Sequence, residues 1–149
     1  SWSPSISIGL AILIPEDYVP DLNLRLSLYR RLAEFVTDDE RDGFAAEMVD
    51  RFGPMPLEVI QLIDVAGIKA LCRTAGVEKL VVTPNGAVLT FKHELAPDPM
   101  KLIQLVQKQP AIYRLRPDGK MMTNGNWPND AQRMKGAKMT LTTIIASCA

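Results

Sequence analysis

The sequence predicts an α+β protein, in which a small antiparallel sheet packs against a layer of helices. Three observations predict this class. Apolar residues alternate near the start of the chain, three amphipathic segments follow between residues 21 and 76, and the second half carries two hairpin signals, Pro84-Asn85-Gly86 and Asp118-Gly119. The expected order of elements is β-α-α-α-β-β-α-β-β-α, and the N-terminal strand joins the two hairpins in one sheet.

The first strand is predicted from a period-two pattern of aliphatic residues. The pattern comprises Ile6, Ile8, Leu10, Ile12 and Ile14, which would place one strongly apolar face against the core. Pro15 follows directly and is expected to end the strand.

The next segment is predicted to be a helix that begins after Asp21, a residue suited to the N-cap position. Its leucines also alternate from Leu22 to Leu28, as they would in a strand. On a helical wheel, however, the apolar residues of the whole segment share one half, and only Arg25 is out of place among them. We therefore favour the helix.

A second helix, over residues 37–52, has the clearest end signals in the chain. Thr37 and Glu40 form the pattern of a capping box, and Gly53-Pro54 supplies a stop. The predicted buried face carries Phe44, Ala45, Met48, Val49 and Phe52, whereas the opposite face carries Glu40, Glu47, Asp50 and Arg51. We expect a compact, mostly acidic surface with one arginine, and we place a binding function there.

Proline and glycine delimit the remaining elements. Pro56 suits a first helical position, and residues 57–75 are apolar on most sides, so a buried central helix that ends at Gly76 is expected. The second half should contain strands 77–83 and 87–93, helix 100–109, strands 112–116 and 120–123, and helix 129–146.

The length of the chain indicates one domain, and its charges are segregated into an acidic first half and a basic second half. A chain of 149 residues is the size of an ordinary domain, so residues 1–149 are expected to form a single domain. Residues 1–64 carry twelve acidic and five basic residues, and residues 65–149 carry the reverse. This distribution favours electrostatically guided docking, although charges that only solvate two faces would give the same pattern.

Cysteine usage and the start of the chain indicate its context. Cys72 and Cys148 match no metal-binding or redox spacing, which suggests a reducing compartment. The apolar start of the chain has the pattern of neither a signal peptide nor a membrane span. Because the chain lacks an initiator methionine, we expect it to be a piece of a larger protein.

Catalytic patterns are missing from the sequence. The single histidine, His93, has no nucleophile or orienting partner in a recognisable motif, and the adjacent carboxylates Glu16 and Asp17 are expected to cap or to solvate. There is no P-loop, no GxGxxG and no HExxH. We therefore expect no catalytic, cofactor-binding or metal-binding residue in this chain.

A nucleic-acid-binding module is the alternative function. Six basic residues of the second half could contact phosphates: Arg114, Arg116, Lys120, Arg133, Lys135 and Lys138. Aromatic residues make up only 6% of the chain, and no helix-turn-helix or RNP-like sequence accompanies the basic residues. Ordinary solvated charge is the simpler interpretation of this group.

Three longer motifs resemble a known family. The sequences IPEDYVPDLNLRLSLYRRL at residues 14–32 and EMVDRFGPMP at residues 47–56 resemble the C-terminal domain of the bacterial transcription-repair coupling factors, the Mfd family. LVQKQPAIYRLRPDGKM at residues 105–121 extends the resemblance into the second half. It covers residues 12–134, most of the chain.

The resemblance implies a non-catalytic regulatory domain at the C-terminus of a larger, multidomain protein. Members of the family are ATP-dependent DNA translocases of the helicase type, which displace RNA polymerase stalled at a lesion and recruit the excision-repair protein UvrA. ATP and Mg²⁺ belong to the motor domains, so no cofactor is implied for this domain. The resemblance also implies a bacterial, cytoplasmic protein.

The resemblance further implies a partner and a site. In the family this domain docks on the UvrB-like N-terminal domain of the same protein, covers the surface that UvrA binds, and so represses the protein. The matching positions are Glu47, Asp50 and Arg51, which the helical wheel also places on the exposed face. Glu47 and Arg51 could instead pair within the helix, because they are four residues apart.

Overall fold

The computed structural model describes residues 2–94 and 96–149. Its helices are α1 (Leu22–Glu34), α2 (Asp38–Phe52), α3 (Leu57–Ala75), α4 (Pro99–Lys108) and α5 (Asp130–Ser147). Its strands are β1 (Ser5–Ser7), β2 (Val77–Thr83), β3 (Gly86–Phe91), β4 (Tyr113–Leu115) and β5 (Met121–Asn124). The predicted α+β class and the predicted order of elements are confirmed.

The chain divides into two compact units. One consists of Leu10–Ala70 and contains α1, α2 and most of α3; we call it the helical unit. The other consists of Ser1–Gly9 and Leu71–Ala149 and contains the sheet with α4 and α5; we call it the sheet unit. The expectation that residues 1–149 form a single domain stays a prediction. No helix in the described part of the chain is long and apolar enough to cross a membrane.

The sheet unit has five strands in the order β1-β2-β3-β5-β4. The pairs β2–β3, β3–β5 and β4–β5 are antiparallel, whereas β1 runs parallel to β2. The expectation of a wholly antiparallel sheet is therefore wrong, and the sheet is mixed. A parallel pair needs a long crossover connection, which the three helices between β1 and β2 supply.

The first strand is much shorter than predicted. It spans only Ser5–Ser7, and Gly9 adopts a positive φ of 69° that ends the extended backbone. Ile8 is still part of the sheet unit, whereas Leu10, Ile12 and Ile14 belong to the helical unit. There Ile14 is 3% exposed and donates its backbone N–H to the Tyr29 hydroxyl at 2.7 Å. Period-two spacing alone does not distinguish a strand from an irregular segment that buries alternate residues.

Both hairpins form at the predicted turns. Gly86 has a φ of 136°, and a Cβ there would overlap the carbonyl group of Thr123 in β5, so only glycine fits this close strand pair. β3 ends at Phe91 rather than at the predicted position 93. His93 lies in a short 3-10 turn with a positive φ of 59°, a conformation that cannot continue the strand.

One face of the sheet is fully buried, at Leu80, Leu89 and Met121. Within this unit α5 contacts β2 and β3, and α4 contacts β4. A Cβ on Gly136 of α5 would overlap the indole ring of Trp127. This close packing explains a glycine in the interior of a helix, where it is otherwise unfavourable.

The core of the helical unit is formed by residues of α1, α2, the start of α3 and the segment before α1. Its buried members are Ile14, Val19, Leu28, Leu32, Phe44, Met48 and Val59. Asp21 caps α1 by accepting the N–H of Asn23, as predicted. Arg25 donates to the carbonyls of Val19 and Pro20, so its place in the apolar half is explained by backbone acceptors that need a donor.

Three details of the predicted helices differ from the structure. Val49, which the wheel placed on the buried face, is 46% exposed because it lies at the edge of the apolar arc. Pro56 precedes α3, and its carbonyl accepts the N–H groups of Val59 and Ile60, so Pro56 occupies the N-cap rather than the first helical position. The first turn of α3 is buried only in part, since Val59 lies in the core whereas Leu57 is 61% exposed.

Candidate functional site

Both ends of helix α2 have specific hydrogen bonds. At its start Thr37 accepts the N–H of Glu40 and Glu40 accepts the N–H of Thr37, so the predicted capping box is confirmed. At its end Gly53 has a φ of 88°, and its N–H bonds to the Val49 carbonyl at 2.9 Å. The carboxylate of Glu40 is thus occupied by the cap, although the residue is exposed as predicted.

Tyr18 fixes the C-terminal end of α2. Its hydroxyl oxygen lies 2.8 Å from the Gly53 carbonyl oxygen and 3.1 Å from that of Met48. Burial raises the pKa of Tyr18, so the hydroxyl keeps the proton that it donates. The Tyr18 and Phe52 rings lie 5.8 Å apart between centroids. The PEDY and DRFG motifs therefore meet at this end of the helix.

Glu47 lies at the centre of three charged side chains, Arg31, Glu47 and Arg51, which we call the Glu47 cluster. Its two carboxylate oxygens accept from Arg31 Nη2 and Nη1 at 2.7 and 2.8 Å, and one of them also accepts from Arg51 Nη1 at 2.9 Å. The Glu47 side chain is 33% exposed and each arginine side chain is 42% exposed. The pair between Glu47 and Arg51 within the helix, which the sequence left open, is thus present.

The two arginines determine the charge of Glu47. Hydrogen bonds from Arg31, and then from Arg51, lower the pKa of Glu47 from 4.5 to about 2. The bond to Glu47 raises the pKa of Arg31. Each guanidinium also lies over an aromatic ring of α2, Arg31 at 5.3 Å from the Phe44 centroid and Arg51 at 5.0 Å from that of Phe52. The cluster is therefore fully ionised at neutral pH.

The third predicted docking residue, Asp50, stays outside the cluster. It lies three residues after Glu47, on the same side of α2, and it is exposed to solvent. The structure thus joins Glu47 to Arg51 and leaves the Asp50 carboxylate separate but adjacent.

Arg31 is the member of the cluster that sequence reasoning missed. The helical wheel placed Arg30 and Arg31 together on the polar half of α1, and no local signal separates the two. In the structure Arg30 is exposed, whereas Arg31 reaches across to α2. Only the packing of α1 against α2 makes this distinction.

The histidine and the two cysteines do not form a catalytic or metal-binding site among the described residues. His93 is exposed, whereas Cys72 is buried and Cys148 is half-buried, and neither cysteine forms a disulfide. Burial raises the pKa of Cys148, which disfavours the reactive thiolate. Among the described residues, no three side chains of His, Cys, Asp or Glu lie close enough together to hold a metal ion.

The basic residues of the second half are partly paired. Arg116 contacts Asp118 at 2.8 Å, and Arg133 contacts Asp130 at 2.5 Å. Arg114, on the edge strand β4, is exposed. A nucleic-acid-binding role of the basic residues in the second half stays a prediction.

The structure thus combines an α+β fold with the Glu47 cluster, a group of polar, partly exposed side chains on its helical unit. Among solved structures, the chain matches the crystal structure of the C-terminal domain of a transcription-repair coupling factor, with a TM-score of 0.72. The match covers 99% of this chain and 97% of that chain at 12% sequence identity. It shows a shared fold.

Sequence comparisons show the family. The TRCF domain model matches residues 8–102. The chain is 38% identical over 119 residues to the transcription-repair-coupling factor of Rickettsia bellii and 36% identical over 115 residues to that of Escherichia coli, which covers 80% and 77% of the chain. It therefore belongs to the transcription-repair-coupling factor family, as its motifs predicted. The chain spans 10% of the length of these two relatives.

Proposed function

We propose that this chain is a regulatory interaction domain without catalytic activity of its own. It docks through Glu47, Asp50 and Arg51 on the UvrB-like N-terminal domain of its parent protein, and it masks the surface that UvrA binds. One observation carries the proposal: the positions that match the family's docking residues form or adjoin a partly exposed ion cluster on a helix held at both ends.

The parent in this proposal is an ATP-dependent DNA translocase of the bacterial cytoplasm. It displaces stalled RNA polymerase and recruits nucleotide excision repair, and its motor domains bind ATP and Mg²⁺. This chain would need no cofactor of its own. Membership of the transcription-repair-coupling factor family supports this assignment, because the relatives carry that name.

In a docking contact of this kind, each pair of opposite charges contributes little binding free energy. Partly exposed ion pairs contribute about 0.2–1 kcal/mol each, and salt screens them further. The two domains belong to one polypeptide, so tethering raises their effective concentration and the docked state can still prevail. A coupling of about 1–3 kcal/mol from the motor domains would be enough to open it.

Calorimetric titration of this chain with the UvrB-like N-terminal domain of the parent, at low and at moderate salt, tests the proposal. Asp50→Arg is the sharpest variant, because Asp50 is exposed and takes no part in the hydrogen bonds of the Glu47 cluster. Asp42→Arg is the matched control, since Asp42 is exposed on the same helix and the change of charge is identical.

We expect the unmodified chain and Asp42→Arg to bind, with an affinity that falls as salt rises, and Asp50→Arg to bind at least tenfold more weakly, a difference of about 1.4 kcal/mol. Equal affinities for the two variants would refute the docking face. If the folded chain binds too weakly without the tether, the same variants are tested in the full-length parent. There only Asp50→Arg should raise UvrA binding and ATPase activity.

A further inference from the structure

The two arginines hold Glu47 in different ways. Arg31 comes from α1 and forms two parallel hydrogen bonds, one to each carboxylate oxygen, at 2.7 and 2.8 Å. Arg51 comes from the same helix as Glu47 and forms a single bond at 2.9 Å. Two parallel bonds from a planar guanidinium are strong and directional, whereas a single-bond pair between residues four apart on a helix is among the weakest ion pairs. Arg51 is therefore the more easily displaced partner.

The surroundings of the two guanidinium groups strengthen this contrast. Arg31 lies over Phe44, whose side chain is 2% exposed and contacts the Phe35 ring at 5.6 Å between centroids. Arg51 lies over Phe52, which is only half-buried. The ring beneath Arg31 is thus the more deeply buried of the two, although the Phe52 ring also contacts that of Tyr18, at 5.8 Å between centroids.

The Glu47 carboxylate also has little free capacity. A carboxylate offers about four acceptor positions, and three are filled by the two arginines. A cation on a docking partner could bind Glu47 in the strong two-bond geometry only if Arg51 moved away. Arg51 would then be free to donate to an acceptor on the partner.

We infer that Arg31 is a positioning residue of the docking face, and that docking exchanges the Glu47–Arg51 pair for contacts with the partner. A basic group of the partner takes the acceptor position that Arg51 leaves, with Asp50 beside it, and Arg51 pairs with an acidic group of the partner. Arg31 keeps Glu47 oriented throughout without touching the partner. The partner surface must therefore carry a basic and an acidic group side by side. This inference rests on the proposed function.

Arg31→Lys tests the positioning role, because it keeps the charge and removes the two-bond geometry. Arg30→Lys is the matched control, since Arg30 is the adjacent exposed arginine of α1. Binding to the UvrB-like N-terminal domain is measured by calorimetry, and urea unfolding of each variant identifies the conditions in which it is folded. We expect Arg31→Lys to weaken binding about fivefold and Arg30→Lys to leave the Kd unchanged.

The double variant Glu47→Gln/Arg31→Lys tests whether Arg31 acts on binding through Glu47 or has only a structural role. In a Glu47→Gln background, Arg31→Lys should cause no further loss of affinity, because the carboxylate that Arg31 orients is gone. An unchanged Kd for Arg31→Lys alone, or an equal loss in both backgrounds, would overturn the inference. Loss of binding in Asp50→Arg together with normal binding of Arg31→Lys would overturn this inference and leave the proposed function standing. Normal binding of Asp50→Arg would overturn both.

The exchange of partners has its own spectroscopic test. Nitrogen-15 NMR of arginine side chains, with only this chain labelled, reports each guanidinium separately. On addition of the N-terminal domain, the Arg51 signals should shift while those of Arg31 stay in place. Movement of the Arg31 signals with no change at Arg51 would contradict the exchange.

Discussion

Replacing Glu47 by glutamine should remove a measurable part of the stability of the helical unit. A pKa lowered from 4.5 to about 2 would correspond to about 3 kcal/mol in a site shielded from water. Glu47 is 33% exposed and its two arginines are each 42% exposed, so solvent screens the cluster strongly. We therefore expect Glu47→Gln to lower the free energy of unfolding at pH 7 by about 1–2 kcal/mol.

The effect of Glu47→Gln should depend on pH in a defined direction. The pKa of Glu47 is lower in the folded protein than in the unfolded chain, so the unfolded chain takes up the proton first as pH falls. The stabilisation by Glu47 is complete above the unfolded pKa of 4.5 and is lost as pH falls toward the folded pKa of about 2. The difference between wild type and variant should therefore be constant from pH 8 to about pH 5.5 and shrink below it.

Urea unfolding followed by circular dichroism at a series of pH values measures this difference. Glu16→Gln is the control, because Glu16 is an exposed carboxylate of the same unit that lies outside the cluster. It should change the free energy of unfolding by less than about 0.5 kcal/mol. A Glu47→Gln variant as stable as wild type at pH 7, or a difference that persists unchanged at pH 3, would refute the energetic account of the cluster.

Two further predictions concern glycine packing and capping. Gly136→Ala should destabilise the sheet unit by about 1–3 kcal/mol in thermal or urea unfolding, because its Cβ would overlap Trp127. Gly43→Ala should instead stabilise α2 by about 0.5–1 kcal/mol, because a Cβ there meets nothing within 4 Å. Equal effects of the two substitutions on the free energy of unfolding would contradict this packing. Thr37→Ala should lower the free energy of unfolding by about 1 kcal/mol, because it removes the acceptor for the Glu40 N–H. Amide hydrogen exchange in the first turn of α2 should become faster in this variant. Unchanged exchange there would argue against the capping box.

End signals of helices and hairpins were predictable residue by residue. Asp21 and Thr37, which were predicted as caps, accept backbone N–H groups two and three residues away, and in the structure Asp98 and Asn129 cap α4 and α5 in the same way. Such contacts depend on neighbours in the sequence and need no tertiary structure to form. The turns at the two hairpins follow the same rule, because they depend on the backbone preferences of the turn residues themselves. The four helices for which both ends were predicted, α2 to α5, begin and end within one residue of the predicted positions.

The candidate site was predictable only in part. The helical wheel placed Glu47, Asp50 and Arg51 on the polar face of α2, because side-chain direction follows from the helical period. It placed Val49 on the opposite face, and the structure shows Val49 to be 46% exposed. A wheel gives the direction of a side chain, whereas its burial depends on what packs against that direction.

By itself the sequence determined the elements, their order, most of their ends and the family, because these depend on local chemistry and on motifs read along the chain. Only the tertiary structure decided the parallel pairing of β1 with β2, across residues 5–7 and 79–81, and the choice of Arg31 rather than Arg30 as the partner of Glu47. Each of these joins residues that are distant in the sequence. Their pairing is determined by how whole elements pack, and that packing reflects the sum of many contacts rather than any local pattern.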